Sequence, residues 1–537
     1  MASGVELAEV DLEVDEDSTS ASAAITSDRA VELVGFGSFH VWLTLILTLG
    51  NAADAVEVLS IALVLPNLTH LSNEGKGAVT AAVFAGALVG AVAWGLVGDL
   101  VGRRPALVAS LLLNGLFALA SSAVGEHLGA LCACRFFAGI GVAGTNAVAF
   151  TLLPEFLPAS NRGVGVVVLA SGWMCGSVYS AATGWVVIPK RGWRAFLATA
   201  AAPALVAATA AAARVPESPR FLCARGRSLE AAAVMRAVSR RTKNSRLHEG
   251  FRFAATGIGK QKARRKDFLA VSLAPARALA APARRARFLA LAATWFALSF
   301  GWYGTMLWLP ESFARSARSA ETSQGEVSRR VYLENLLVAL ANAPGNIASA
   351  FSVDAVGRVK TLLFGACGAC ASALAFAGVA AVKNGATPDD GDAFSDSYAF
   401  VLCASLFNAL SVGGWNALDL LGAESFPTRA RATALGVLGG VGRVGAFAGT
   451  SAMAIAVGGS ADGEGSRLWA PFVVAAAAMA LAALAALFVP ETSGTRLGAV
   501  GDAGDNDDDD DGFDCTTDST TLLGRAASGS GREGDGA

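Results

Sequence analysis

Asp99-Leu100-Val101-Gly102-Arg103-Arg104 returns in the second half of the chain as Asp354-Ala355-Val356-Gly357-Arg358-Val359-Lys360. Two further marks recur in the same order. Glu155-x-x-Pro158-x-x-x-Arg162 is matched by Glu424-x-x-Pro427-x-x-x-Arg431, and Pro216-Glu217-Ser218 by Pro490-Glu491-Thr492. The offsets are 255, 269 and 274 residues, so order is kept while the intervening lengths drift. Each mark is a short polar punctuation between long apolar runs. A repeat of about half the chain, built from membrane-length segments, is the pattern of a duplicated polytopic membrane protein.

Composition agrees. Of 537 residues 53% are hydrophobic and 16% charged, against about 25% charged in an ordinary soluble domain. The net charge of -2 conceals segregation. The first 38 residues carry nine acids and one Arg, the stretch 214–287 carries 19 Lys or Arg against four acids, and 502–518 has nine Asp and no base. The eight Cys lie mostly in apolar runs without the spacing of a disulfide framework, and Cys367-x-x-Cys370 reads as helix packing rather than metal or redox chemistry. The acidic, polar start does not resemble a cleavable signal peptide.

Runs of about 20 apolar residues mark membrane spans. Twelve are expected, at 40–64, 77–98, 105–124, 128–152, 164–188, 193–213, 288–310, 331–353, 361–382, 398–423, 433–457 and 468–489. The predicted fold is all-α, with two six-helix pseudo-repeats around a central cavity. The expected division is an acidic N-tail (1–38), a first bundle (39–214), a basic linker (215–287), a second bundle (288–494) and an acidic C-tail (495–537). Both tails are poor in apolar residues and are expected to be disordered.

Arg103, Arg104, Arg162, the basic linker, Arg358, Lys360, Arg429 and Arg431 all fall on one side, which the positive-inside rule assigns to the cytosol together with both termini. The loop from Glu311 to Arg330 disagrees, with four Arg partly offset by Glu311, Glu321 and Glu326. In the linker, Ser228 to Arg240 reads as a surface helix holding Arg236, Arg240 and Arg241 near anionic lipid headgroups. No nucleic-acid role is expected there. Gly139-x-Gly141-x-x-Gly144 and Gly440-x-Gly442-x-x-Gly445 match a dinucleotide fingerprint but sit inside apolar helices, where close helix packing accounts for them. Asn67-Leu68-Thr69 is a glycosylation sequon close to the membrane.

Gly95-Leu96-Val97-Gly98-Asp99-Leu100-Val101-Gly102-Arg103-Arg104 resembles the loop signature of the major facilitator superfamily. Pro216-Glu217-Ser218-Pro219-Arg220-Phe221-Leu222 resembles the mid-chain signature of its sugar-porter and organic-ion branches. Asn51-Ala52-Ala53-Asp54-Ala55-Val56-Glu57, Glu424-Ser425-Phe426-Pro427-Thr428 and Gly442-Arg443-Val444-Gly445-Ala446 are closer still to the synaptic-vesicle-two-related proteins and the metabolite–proton symporters allied to them. The resemblance runs from about Gly35 to Gly494. It implies a transporter whose cytosolic gate uses Gly98, Asp99, Gly102, Arg103, Arg104, Glu155, Arg162, Glu217 and Arg220, and in the second copy Asp354, Gly357, Arg358, Glu424 and Arg431. Physically, gate contacts must be polar and individually modest to close reversibly, and an acid beside a helix end can meet a dipole or an Arg. Val359 stands where the first copy has Arg104, so a symmetrical side-chain role is not expected there.

An ionisable group at mid-membrane costs about 2.5–3.5 kcal/mol on insertion scales and is a functional candidate by default. Asp54 and Glu57 lie three residues apart in the first span, which suits a proton carrier, a pair that attracts a cation, or a structural pair neutralised by Arg135 or Arg443. Arg135, which opens the fourth span, is assigned to a network at a membrane face rather than to substrate. Arg443 in the eleventh span can bind a substrate carboxylate or answer Asp419 in the tenth. Trp173, Trp302, Tyr303, Trp308, Trp415 and Asn416 are candidates to line an aromatic cavity. No catalytic constellation, cofactor motif or metal set is visible. The expected activity is secondary transport of a small organic solute, an organic ion in the favoured reading, proton-coupled or facilitative. The rivals are a sugar carrier of the same superfamily and a non-transporting receptor on the same fold. Asp518-Ser519-Thr520-Thr521-Leu522-Leu523 fits an acidic dileucine sorting signal, which places the protein on an endosomal or vacuolar membrane, with the plasma membrane as the default.

Overall fold

The computed structural model describes residues 24–125, 127–242, 247, 251–253, 282–320, 329–385, 393–426, 428–457 and 469–492. The dileucine candidate Asp518, Leu522 and Leu523 and most of the basic linker lie outside them. The described chain is helical apart from a two-residue parallel pair, Ala24–Ile25 with Arg252–Phe253. The first half holds α1 (Ser27–Val34), α2 (Ser38–Val64), α3 (Asn73–Leu100), α4 (Arg103–Ala123), α5 (Leu128–Phe156), α6 (Ala159–Ala200), α7 (Ala202–Arg214), α8 (Pro219–Ala224) and α9 (Ser228–Arg240). The second holds α10 (Pro282–Ala320), α11 (Arg329–Leu340), α12 (Asn342–Val356), α13 (Arg358–Gly385), α14 (Ala393–Glu424), α15 (Thr428–Val457) and α16 (Ala470–Ala486).

Nine segments of the described residues are long and apolar enough to cross a membrane. One of them, Ala159–Arg214, has 56 residues, about 84 Å at about 1.5 Å per residue, far more than a hydrocarbon core of about 30 Å. It breaks at Gly192, whose φ of 79° is non-helical, so it makes two passes. With α10 and the 17-residue α16 counted, the arrangement accommodates the twelve expected spans. The eighth span is interrupted at Ala341, between α11 and α12.

Small residues let the helices approach. A methyl at Gly86 would overlap the Phe136 carbonyl and one at Gly139 that of Val83, so the α3–α5 crossing needs glycine on both sides. Of the fingerprint glycines, Gly139, Gly141, Gly144, Gly442 and Gly445 are therefore packing surfaces, while Gly440 faces open space. Gly445 and Gly449 on α15 meet the Phe296 and Phe300 carbonyls of α10 in the same way.

One sequence expectation changes, while the helix expected at Ser228 to Arg240 is present at those bounds. Residues 27–34 of the acidic N-tail form a helix, started by Thr26, whose hydroxyl accepts from the Arg29 N–H, and burying Ala30, Val31 and Val34. The reason is local: apolar residues at helical spacing find a partner surface in α8 and α9. For the same reason the apolar face of α9 (Ala231, Ala232, Met235, Val238) is occupied by protein rather than lipid. Arg240 and Arg241 stay exposed.

The halves meet through α2 with α10, α3 with α15, and α6 with α11. The end carrying the repeated loops is called the motif end here, and the other the far end. At the far end the Asn67 amide donates to the Tyr332 hydroxyl at 2.8 Å, and Arg329 lies over the Trp185 ring. On the eighth span, α11 packs against α6, whereas α12 packs mainly on α13 and α14 of its own half. The far end is closed.

Candidate functional site

The two acids of the first span part company. Glu57 is buried and its carboxylate lies 2.8 Å from Arg135 Nη1. The Arg135 guanidinium also donates to the Glu57 carbonyl and to the Ser60 hydroxyl. Arg135 is fully buried, so it belongs to the interior and not to a membrane face. The two charges offset each other, although Glu57 Oε1 and Arg135 Nε have no hydrogen-bond partner among the described residues, and breaking the pair strands a charge. Asp54, also fully buried, accepts one hydrogen bond, from Asn114 Nδ2 at 3.1 Å. Its other oxygen has no hydrogen-bond partner among the described residues. Across the interface between the halves, Arg443 of α15 is within electrostatic reach of Asp54.

Arg443 makes no hydrogen bond or ion pair among the described residues, and it does not pair with Asp419. It faces Tyr303 as well as Asp54. Asp419 also stands within reach of Tyr303 yet remains exposed, as a side chain facing open space among the helices. Tyr303 is the hub of an aromatic cluster that joins the halves. Phe84 and Trp173 approach it from the first half at 4.9 and 6.4 Å, Trp302 and Trp415 from the second at 4.8 and 6.4 Å. Trp308 is elsewhere: it is buried in the second half and donates to the Thr450 carbonyl. Asn416 ties α14 to α12, donating to Asn346 Oδ1 at 2.8 Å and Ser349 Oγ at 2.6 Å.

Toward the far end the same interface holds a small cavity lined by Leu59, Ser180, Trp302, Asn335, Asn342 and Asn408 among others. The Ser180 hydroxyl there is buried without a partner among the described residues. Trp302 Nε1 donates to Asn408 Oδ1, whose amide donates to the Val338 carbonyl.

At the motif end the loops are built twice on one plan. Gly102 (φ 124°) ends α3 and opens α4, and Gly357 (φ 107°) does the same for α12 and α13. A carboxylate then sits on each new helix N-terminus, where unpaired N–H groups and the dipole favour an anion. Glu217 Oε1 accepts from the N–H groups of Arg103 and Arg104 at 2.8 and 3.3 Å. Glu491 accepts from those of Arg358 and Val359 at 2.9 and 3.0 Å. Side chains differ more. Arg103 binds Asp99 at 2.5 Å, and Gly98 leaves room for its guanidinium. Arg358 instead spans Asp354 and Glu424, each at 3.3 Å, and Glu424 also accepts from Thr492 Oγ1 at 2.5 Å. Glu155 lies beside Ser218, Arg103 and Arg220. Arg162 turns to the Leu157 carbonyl rather than to Glu155. Arg220 pairs with Asp28 of α1, and Arg104 Nη2 donates to the Ala212 carbonyl. Arg431 lies on α15, but its side chain is outside the described residues.

Arg225 carries no motif, yet its guanidinium donates at 2.7 Å to the Asp99 and Leu100 carbonyls that end α3. Its place three residues beyond the Pro-Glu-Ser-Pro-Arg-Phe-Leu stretch is the one available signal. Lys76 and Glu311 are likewise unmarked, since a lone Lys at the start of an apolar span reads as an interfacial anchor.

A bundle of this kind, shut at one end and holding uncommitted charges at its centre, is a multi-pass membrane transporter of small solutes. Residues 48–501 match the sugar (and other) transporter family, and the chain belongs to it. It is 30% identical to the niacin transporter NiaP of Acinetobacter baylyi, covering 78% of this chain and 87% of that one. It is 26% identical to rat synaptic vesicle glycoprotein 2A, over 86% of this chain and 78% of that one. Among solved structures it resembles the partially occluded inward-open xylose transporter XylE of E. coli, with a TM-score of 0.64 at 17% identity. That likeness covers 86% of this chain and 100% of XylE, and it concerns the fold.

Proposed function

We propose that the protein carries a small organic ion with a flat ring by alternating access, coupled to protons through Asp54. The observation that carries the reading is the division of labour in the first span. Glu57 is neutralised by Arg135, whereas Asp54 has no ion pair among the described residues, sits beside the neutral Asn114 and Thr145 side chains, and faces Arg443 across the interface. Proton uptake at Asp54 removes the attraction that Arg443 feels, freeing the guanidinium to receive a carboxylate in bidentate fashion. Release of the proton restores the attraction and expels the anion. Tyr303, Trp302 and Trp415 then hold the ring, and Asp419 receives a positive end if the solute has one. The naming of a relative as a niacin transporter fits a ring bearing a carboxylate.

A second reading, a neutral sugar, draws on the cavity with Asn335, Asn342 and Asn408 and on the xylose-carrying structural neighbour. Counterflow into proteoliposomes with aromatic acids, organic cations and hexoses decides between them. Uptake of none of these favours a receptor on this fold. The motif end is read as cytosolic, with both termini, from its basic loops. The halves 39–214 and 288–494 are read as the bundles that rock against each other. Exposed Arg240 and Arg241 suit anionic headgroups, and Asp518, Leu522 and Leu523 a sorting adaptor.

The test is Asp54→Asn. Proton-driven accumulation is lost while solute exchange continues. Wild-type pH-dependent accumulation in this variant would remove the coupling role. Glu57→Gln behaves differently: it leaves Arg135 buried and uncompensated, an expected loss of about 3–5 kcal/mol of stability, read as poor folding rather than uncoupling.

A further inference from the structure

The far end holds a charge cluster that the loop motifs and the central site do not involve. Lys76, on the first turn of α3, points its ammonium at Glu311 of α10, with Nζ to Oε1 at 2.9 Å. Both side chains are almost wholly enclosed, 4% and 1% exposed. The same Glu311 oxygen accepts from Arg315 Nε at 2.9 Å, and Arg315 reaches back to the Asn73 side-chain oxygen, again across the halves. The other Glu311 oxygen has no partner among the described residues. Around the cluster, Gly77 lies against Ala454, and Asn67 bonds Tyr332. Among the described residues the far-end closure thus combines close packing, the Asn67–Tyr332 hydrogen bond, the Arg329–Trp185 contact, the Arg315–Asn73 hydrogen bond and this buried ion pair.

We infer that Lys76 and Glu311 form a latch that sets the balance between the two faces of the transport cycle, a positioning role that rests on the alternating-access reading. The argument is geometric. The pair joins the first half to the second, and access from the far end requires those halves to part there. Lys76 and Glu311 cannot separate without exchanging each other for water. In the closed state each is denied water, so their mutual contact is what makes burial tolerable. In the open state both are hydrated and individually content. Removing one charge therefore weakens the closed state more than the open one, because only the closed state makes this contact across the halves. The same asymmetry explains why so costly a pair sits at a moving interface rather than in a static core. The four-residue set is also anchored on one side: Arg315, on the same helix, holds the Glu311 carboxylate in place when Lys76 leaves, so the latch can re-form on closing.

The test uses the full chain in proteoliposomes without solute, with cysteines replaced and spin labels placed in two pairs. Labels at Glu74 and Trp469 read the far end, and labels at Leu100 and Val356 read the motif end. Lys76→Met and Glu311→Gln should raise the ratio of far-end-open to far-end-closed molecules about tenfold or more, as expected for losing a charge-assisted hydrogen bond that only the closed state makes. The motif-end pair should shorten in step. Lys76→Arg, which keeps the charge, should hold the wild-type distribution, so that the effect cannot be assigned to a damaged fold. Wild-type distances in both Lys76→Met and Glu311→Gln, or a Lys76→Arg that opens as far as Lys76→Met, would overturn the latch. Solute counterflow in the same vesicles tests the transport reading separately, because the distances need no solute.

Discussion

The two copies of the loop motif agree in their backbone and differ in their side chains. In both, a glycine with positive φ turns the chain and a glutamate about 115 to 135 residues later in sequence closes on the next two N–H groups. The copies then diverge. Arg103 is committed to one carboxylate, Asp99, which is 69% exposed. Arg358 is shared between Asp354, 79% exposed, and the more enclosed Glu424. What duplication has kept is therefore the capping of a helix N-terminus, a contact that any residue can supply with its amide. That is why Val359 can stand where Arg104 does: each contributes an N–H to the glutamate, and only Arg104 adds a side-chain bond, to Ala212. The Asp–Arg pair four residues apart is kept as well, and what differs is that Arg358 alone also forms an ion pair with the second glutamate, Glu424.

The largest effect expected from breaking this plan is at the glycines. Gly102→Ala and Gly357→Ala each force a side chain into a backbone region that disfavours it and against the capping carboxylate. A loss of about 1–3 kcal/mol is expected at either site, seen as a lower melting temperature in detergent. If only one variant melts early, the two loops are not built alike.

Next come the caps. Glu217→Ala and Glu491→Ala leave two N–H groups without their acceptor and remove an anion from a helix start, for about 1–2 kcal/mol each. Similar losses in the two halves would sharpen the view that this contact is structural. A stable Glu217→Ala that cycles slowly would move Glu217 into the gate instead.

The smallest stability effect separates the copies. Asp99→Asn and Asp354→Asn alter exposed pairs worth under about 1 kcal/mol, so both fold. Asp99→Asn should slow transport more, because Arg103 loses the ion pair it makes and has Glu155 only nearby, whereas Arg358 retains its contact with Glu424. Equal transport rates in the two variants would show that the side-chain difference has no consequence for the cycle.

Much of this molecule is written locally. Apolar runs of membrane length, interrupted by Gly-Arg loops and repeated in order, determine an all-helical bundle of two similar halves, because hydrocarbon leaves the backbone no alternative to helices. The motifs Asp99 to Arg104 and Asp354 to Lys360 mark the loops for the same reason: a positive-φ turn needs glycine wherever it occurs. The exchange of partners at the centre was not legible. Asp54 and Glu57 are three residues apart, about 300° around a helix, so one meets Asn114 of α4 and the other Arg135 of α5. No pattern in the first span tells which acid is neutralised, and Arg135 looked peripheral only because its helix begins nearby. Lys76 and Glu311 are separated by 235 positions and each is unremarkable where it stands. Helix identity is a property of neighbours along the chain. Which charge meets which depends on the rotation and crossing of whole helices, and that only the packed structure decides.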